Sequence, residues 1–218
     1  KFQTTSTFTM KMERFESVPN REIGGAATAN LGHRLGGSGP QTDNTIESLR
    51  NTIERVDKPG FKYWEFDVHE SLDGVLFVFH DDHIESNGKM IPVNTSTFAE
   101  IHNCGIEMGV SIPTLDEVVE ELKNRREPIR IEIKNLMTDQ ARQAIIDVTK
   151  GRPDWKLMAS LGRFQKSFPI ISRHHWHTQA KKAGTKLVRV RRHEIDLFEA
   201  SRTRFHWFLA KIKWKLGY

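Results

Sequence analysis

Apolar positions along the chain fall in short blocks whose period switches between two and about 3.6 residues, the signature of strands alternating with helices. Residues 44–55 carry Ile46, Leu49 and Ile53 at helical spacing, with Asn44 or Thr45 as the cap. Residues 62–68 alternate and predict a strand. Asp73-Gly74 marks a turn, and the apolar run 75–79 predicts a second strand. Residues 81–111 are looser. Thr114, followed three residues later by Glu117 and then by Val118, Val119 and Leu122, predicts a helix over 114–123. Pro128 precedes a strand at 129–133, and 139–148 predicts a helix. Weaker strands are expected at 155–161 and 186–190. The small-residue segment 27–31 is a further short strand, ahead of a loop holding Gly36, Gly37, Gly39 and Pro40. Near the N-terminus Phe8, Met10 and Met12 alternate with Thr9 and Lys11, a short strand within an extension over residues 1–22. This leaves 23–218 as the main domain. Such alternation predicts an α/β fold with a parallel sheet covered by helices. Eight units would close a TIM barrel, and six strands are countable.

Composition narrows the class. A chain of 218 residues is one domain of ordinary size. No apolar run approaches the ~18 residues of a membrane-spanning helix. Thirteen Phe and five Trp exclude global disorder. A single cysteine, Cys104, excludes an internal disulfide framework and a zinc site built on several thiolates. It is expected as a buried or half-buried thiol without a role. The first residue is Lys1, as either a removed leader or a trimmed chain would leave. A secreted or periplasmic location and a cytoplasmic one both stay open.

Charge divides the chain. Residues 150–218 hold 17 basic and 4 acidic residues, whereas 1–149 hold 16 basic and 24 acidic. An acidic front suits a cation. A basic rear suits phosphates, on lipid headgroups or nucleic acid, or is simply a solvated face. The tail 202–218 is basic and aromatic. Ala210, Ile212, Trp214 and Leu216 alternate with Lys211, Lys213 and Lys215, which is a strand period. Read instead as a helix, the segment has the character of a membrane interface. The favoured expectation is a last barrel element over the core. The His174-His175-Trp176-His177 cluster matches no standard metal spacing and is expected as surface or loop histidines.

The chemistry concentrates in four segments: Gly32-His33-Arg34, Glu65-Phe66-Asp67, Phe79-His80-Asp81 and Ile131-Glu132-Ile133-Lys134. Each lies at or near the C-terminal end of an expected strand, where a parallel barrel gathers its active site. Glu65 and Asp67 stand at i and i+2, so both side chains leave one face. Two carboxylates in one site repel unless a cation or proton intervenes, and Mg²⁺ or Ca²⁺ prefers such oxygens. Glu132 adds a third carboxylate, and Lys134 a charge on the same side. His33 and His80 are candidates for general acid–base work. Arg34 is a candidate for a bidentate grip on phosphate. Together these groups make a phosphoester-cleaving arrangement.

With those segments in that order, the chain resembles the glycerophosphodiester phosphodiesterase family. The stretches LGHRLGGSGPQTDNTIESL, WEFDVHESLDGVLFVFHDD, SIPTLDEVVEEL and IRIEIK carry the likeness across roughly residues 29–135. The resemblance implies a TIM (β/α)8-type barrel, minimal or incomplete at its C-terminal end. It implies hydrolysis of glycerophosphodiesters to an alcohol and sn-glycerol 3-phosphate with Mg²⁺ or Ca²⁺. It assigns His33 and His80 as the acid–base pair, Glu65, Asp67 and Glu132 as metal ligands, and Arg34 and Lys134 as phosphate contacts.

The chain departs from the family pattern in three places. Asp43 stands where a Pro-Glu-Asn-Thr element has Glu, displaced from Pro40 by Gln41 and Thr42, while Asn44 and Thr45 are kept. This predicts a remodelled loop. A Trp-Thr-Val-Asn-like element expected near the C-terminal end is absent, and the tail is unusually basic. Two other functions stand beside the leading one. The first is the same chemistry on lysophospholipids, with 81–112 and the tail as an apolar wall and the tail touching a membrane. The second is a catalytically weak barrel that binds anionic membrane or nucleic acid. The retained His, Glu, Asp and Lys positions oppose the second, and nucleic acid is the partner expected least.

Overall fold

The computed structural model describes residues 30–190 and 194–216. The strand expected around Phe8–Met12, the extension 1–22 and positions 27–29 lie outside the described residues. Asn30 and Leu31, the remainder of the first expected strand, form no strand. Instead the Asn30 side-chain oxygen accepts from the Lys62 N–H (3.0 Å) and its amide donates to the Tyr63 carbonyl (2.8 Å). These bonds pin the entering chain beside the start of the first strand.

Helix α1 (Ile46–Thr52) begins at Thr45, whose hydroxyl accepts from the Ser48 N–H, and runs on as a 3-10 turn to Asp57. Strand β1 (Trp64–Glu70) is buried along its whole length. A turn at Gly74, φ 82°, returns the chain as β2 (Leu76–Val78), antiparallel to β1. The stretch read as loose is ordered. It holds a hairpin of β3 (His83–Ser86) and β4 (Lys89–Pro92), then α2 (Phe98–Glu107). The hairpin turns on Asn87 and Gly88 with φ of 50° and 73°, the backbone that suits a two-residue hairpin loop. Only Ile84 is buried among the eight strand residues, so no alternation marks the pair in sequence. Phe77, Ile84, Val93, Ile101, Cys104, Val110 and Ile112 form a small core of their own here, which accounts for the buried thiol.

Helix α3 (Leu115–Leu122) opens on the expected capping box of Thr114 and Glu117. Strand β5 (Ile129–Asn135) lies parallel to β1, and α4 (Asp139–Val148) follows. Strand β6 (Trp155–Met158) is shorter than expected, because Ser160 caps α5 (Leu161–Ser167) and draws Leu161 into a helix. The chain continues through α6 (Arg173–Ala183), β7 (Leu187–Val190), β8 (Glu194–Asp196), α7 (Leu197–Ala200) and α8 (Arg204–Leu216). The tail is thus helical, against its strand-like alternation.

The six-stranded sheet has the order β2-β1-β5-β6-β7-β8. Its four central strands are parallel and both edge strands antiparallel. This is the expected α/β class, but among the described residues the sheet does not close into a barrel. The three residues 191–193 between β7 and β8 are too few for a crossover of a dozen or more, so β8 can only fold back antiparallel. One face of the sheet carries Trp64, Phe66, Val68, Ile129, Ile131 and Ile133 into the main core. The alternate positions carry Glu65, Asp67, Glu132 and Lys134, so the second face of β1 and β5 is polar. No described helix is long and apolar enough to cross a membrane.

Candidate active site

Strand register assembles the site. Asp67 on β1 and Glu132 on β5 are cross-strand partners, and Glu65 precedes Asp67 by two residues on the same face. One carboxylate oxygen from each of Glu65, Asp67 and Glu132 lies within 4.8 Å of the others. Lys134, two residues beyond Glu132, places Nζ 2.9 Å from Asp67 Oδ1 and 3.3 Å from Glu132 Oε1. Asn44 closes the other side: its amide donates to Asp67 Oδ2 (2.9 Å) and its carbonyl oxygen accepts from the Asp67 N–H (3.2 Å).

The balance of charge is unfavourable without a further cation. Burial, and then Asp67, push the Glu65 carboxyl up to about 8, although the Arg34 N–H donates to it. Burial works against the Lys134 ammonium, but Asp67 and Glu132 outweigh it and hold its pKa above the ordinary value. Glu65 Oε1 is buried and accepts no hydrogen bond from the described residues. Three hard oxygen donors and one unmet buried acceptor fit a divalent cation of the Mg²⁺ or Ca²⁺ type.

The two histidines flank this cluster. His33 Nε2 is 3.6 Å from Glu65 Oε2, and burial followed by the charge of Arg34 lowers its pKa. Arg34 and Leu35 adopt left-handed backbone, φ 49° and 56°, and Gly36 follows at 77°. Non-glycine residues held there cost on the order of 1–3 kcal/mol each. What holds them is the fully buried Leu35 side chain, the Arg34 N–H to Glu65 Oε2 (2.9 Å) and the Asn44 N–H to the Arg34 carbonyl (2.9 Å). At Gly36 a Cβ would lie 2.1 Å from Thr52 Oγ1, so α1 packs too closely for any side chain. The Arg34 fork then reaches Asp43 Oδ2 and His80 Nε2, each at 2.7 Å. A guanidinium can only donate, so His80 Nε2 accepts, and Nδ1 donates to Asp81 Oδ1 at 2.7 Å.

A family model described as the glycerophosphoryl diester phosphodiesterase family matches residues 33–190, from the first histidine of this site to the end of β7. The chain belongs to the glycerophosphoryl diester phosphodiesterase family. No curated protein matches it. Similar solved structures include a glycerophosphodiester phosphodiesterase from Thermotoga maritima, 24% identical over 78% of this chain and 63% of that one, with a TM-score of 0.46. Another is a putative glycerophosphoryl diester phosphodiesterase from Silicibacter pomeroyi, 20% identical over 72% and 62%, with a TM-score of 0.48. A third, from Parabacteroides distasonis, is 19% identical over 75% and 82%, with a TM-score of 0.46. The chain spans less than two thirds of the length of the first two.

Within this member of the phosphodiesterase family, all seven residues singled out in the sequence gather around β1 and β5. Four others that structure the site were given no place in it. Asn44 was read as a helix cap, and Asp43 as a departure from pattern. In the fold Asp43 bonds Arg34, and its other oxygen accepts from the Gly39 N–H (3.0 Å). Asp82 holds Arg163 in a two-pronged pair (2.8 and 2.7 Å), and Arg163 donates to the Lys134 carbonyl (3.2 Å). The pairing of residues 81 positions apart leaves no local signal. The clustered histidines lie on α6, with His174 and His175 exposed and His177 2.9 Å from Glu199, and form no metal-ligating group among the described residues. A cavity of about 630 Å³ beside them is lined by Arg173, His177, Lys181 and Glu199 and lacks the carboxylate cluster.

Proposed function

We propose that the protein is a metal-dependent phosphodiesterase that hydrolyses glycerophosphodiesters to an alcohol and sn-glycerol 3-phosphate. The observation that carries this reading is the convergence of three carboxylate oxygens within 4.8 Å beneath two histidines and an arginine. Family membership supports it. On this reading residues 23–218 form the catalytic domain, an incomplete variant of the (β/α)8 plan, with 1–22 as an extension.

Glu65, Asp67 and Glu132 would hold Mg²⁺ or Ca²⁺. The chemistry such an ion supplies is Lewis-acid polarisation of a phosphoryl oxygen. Arg34 and Lys134 bind the phosphate and offset charge that builds on its oxygens. His80 has its Nδ1 proton turned to Asp81, and its Nε2 lone pair, which accepts from Arg34, is freed to take a proton when the Arg34 fork turns to the phosphate. That proton comes from the attacking hydroxyl, of water or of the substrate's own neighbouring carbon; in the second case the alcohol leaves from a cyclic phosphate, which water then opens to sn-glycerol 3-phosphate. His33 is left to deliver a proton to the leaving oxygen. Asp43 and Asn44 position Arg34 and Asp67 and touch no reacting atom.

The test is release of sn-glycerol 3-phosphate from glycerophosphocholine with Mg²⁺, with Ca²⁺ and with EDTA. Release that either metal supports and EDTA stops is the expected result. Equal release in EDTA overturns the metal assignment. No release from glycerophosphocholine under any condition, with release from lysophosphatidylcholine, overturns the substrate assignment.

A further inference from the structure

Helix α8 has an apolar stripe on the side that faces away from the protein. Phe205, Phe208, Leu209, Ile212 and Leu216 are all exposed, Phe205 and Leu216 to 65%. At 100° per residue these five positions fall within an arc of about 100°. The core contacts of the helix come from the opposite side, where Ala210 is buried and Trp207 packs against the main core. Exposed lysines border the stripe. Lys213 flanks one edge, and Lys211 and Lys215 the other. Its N-terminal turn sits beside a surface that includes Arg173, His174, Lys181 and Arg202, where Glu199 pairs with Arg202 and His177.

We propose that α8 is a docking face for an anionic lipid surface, with the stripe inserted among the upper acyl chains and the lysines directed to the headgroups. The geometry is that of an interfacial helix: an apolar arc, cationic edges and aromatic rings near the boundary. Charge selects this occupant over the alternatives. A second copy would bring two lysine-edged stripes together and set like charges against each other. Residues 1–29 hold four basic and three acidic residues, so they supply no excess of negative charge to match the rims. An anionic bilayer meets both the apolar stripe and its edges, at roughly a fivefold gain in binding per lysine near the surface. The proposal stands apart from the reading of the carboxylate site.

The test is flotation of the full chain with vesicles of phosphatidylcholine alone, or with roughly one third phosphatidylglycerol, in ~50 mM and ~500 mM salt. Binding to the anionic vesicles that weakens with salt is expected. Lys211→Gln, Lys213→Gln and Lys215→Gln together should lower it by roughly 100-fold. Phe208→Glu with Ile212→Glu should abolish it, with an unchanged circular dichroism spectrum. Equal binding to neutral vesicles overturns the charge argument. Absence of vesicle binding overturns the proposal. So does a dimer by sedimentation that the Phe208→Glu, Ile212→Glu pair dissociates while vesicle binding is unaffected.

Discussion

Arg34 donates from Nη2 to His80 Nε2 across 2.7 Å, and from Nη1 to Asp43 across the same distance. One planar fork thus joins the remodelled loop to the second histidine. A lysine has a single ammonium and cannot make both contacts in that plane. Arg34→Lys is expected to lower kcat/KM by about 10- to 100-fold, which corresponds to one or two hydrogen bonds to a charged group. Steady-state kinetics on glycerophosphocholine with saturating metal checks this, and kinetics within twofold of the parent would remove the fork from the mechanism.

His33→Ala and His80→Ala should each lower turnover by more than ~10²-fold, the lower end of general acid–base catalysis. Thermal unfolding should change little for His33, whose side chain is 58% exposed. Turnover within a few fold of the parent in both variants would end the acid–base assignment.

Asn44 sits at φ 62° and makes a two-way hydrogen bond with buried Asp67. Asn44→Ala leaves the Asp67 N–H and a carboxylate oxygen short of partners and puts an alanine in left-handed backbone. A loss of about 1–3 kcal/mol in urea unfolding is expected. A change below about 0.5 kcal/mol would show that Lys134 alone suffices to hold Asp67.

The Glu65 carboxyl, raised to about 8 chiefly by burial and then by Asp67, ties stability to pH and to metal. A raised acid binds its proton more tightly folded than unfolded. Metal-free protein therefore loses stability as pH climbs from the ordinary glutamate range toward 8. In EDTA the melting temperature should fall across that window. Mg²⁺ or Ca²⁺ should raise it most at the alkaline end, where cation and proton no longer compete. Glu65→Gln should flatten the EDTA profile. A parent profile already flat in EDTA would show that Glu65 ionises normally.

Much of the frame was legible locally. Thr114 and Glu117 announced their helix because a capping box is written within four residues, β1 was found by its alternation, and β5 was placed by the Pro128 that precedes it. The hairpin of β3 and β4 was not, since a single buried residue gives no period to read. The tail misled for a related reason. Its Lys alternation runs at period two. In the fold, Ala210 and Trp207 meet the core on one side of a helix, and that contact decides the conformation.

The sequence by itself singled out seven polar residues and the two strands that carry four of them, because residue type and a two-residue spacing suffice to put Glu65 with Asp67 and Glu132 with Lys134 on common faces. The tertiary structure alone decided the rest. It set the register that makes Asp67 and Glu132 partners, the left-handed turn that aims Arg34 at His80, and the Asn44 clasp on Asp67. It also decided that the described sheet stays open and that α8 turns its apolar stripe outward. These depend on which distant segments meet, and the free energy of such meetings comes from burial and hydrogen bonds between residues that no local window contains together.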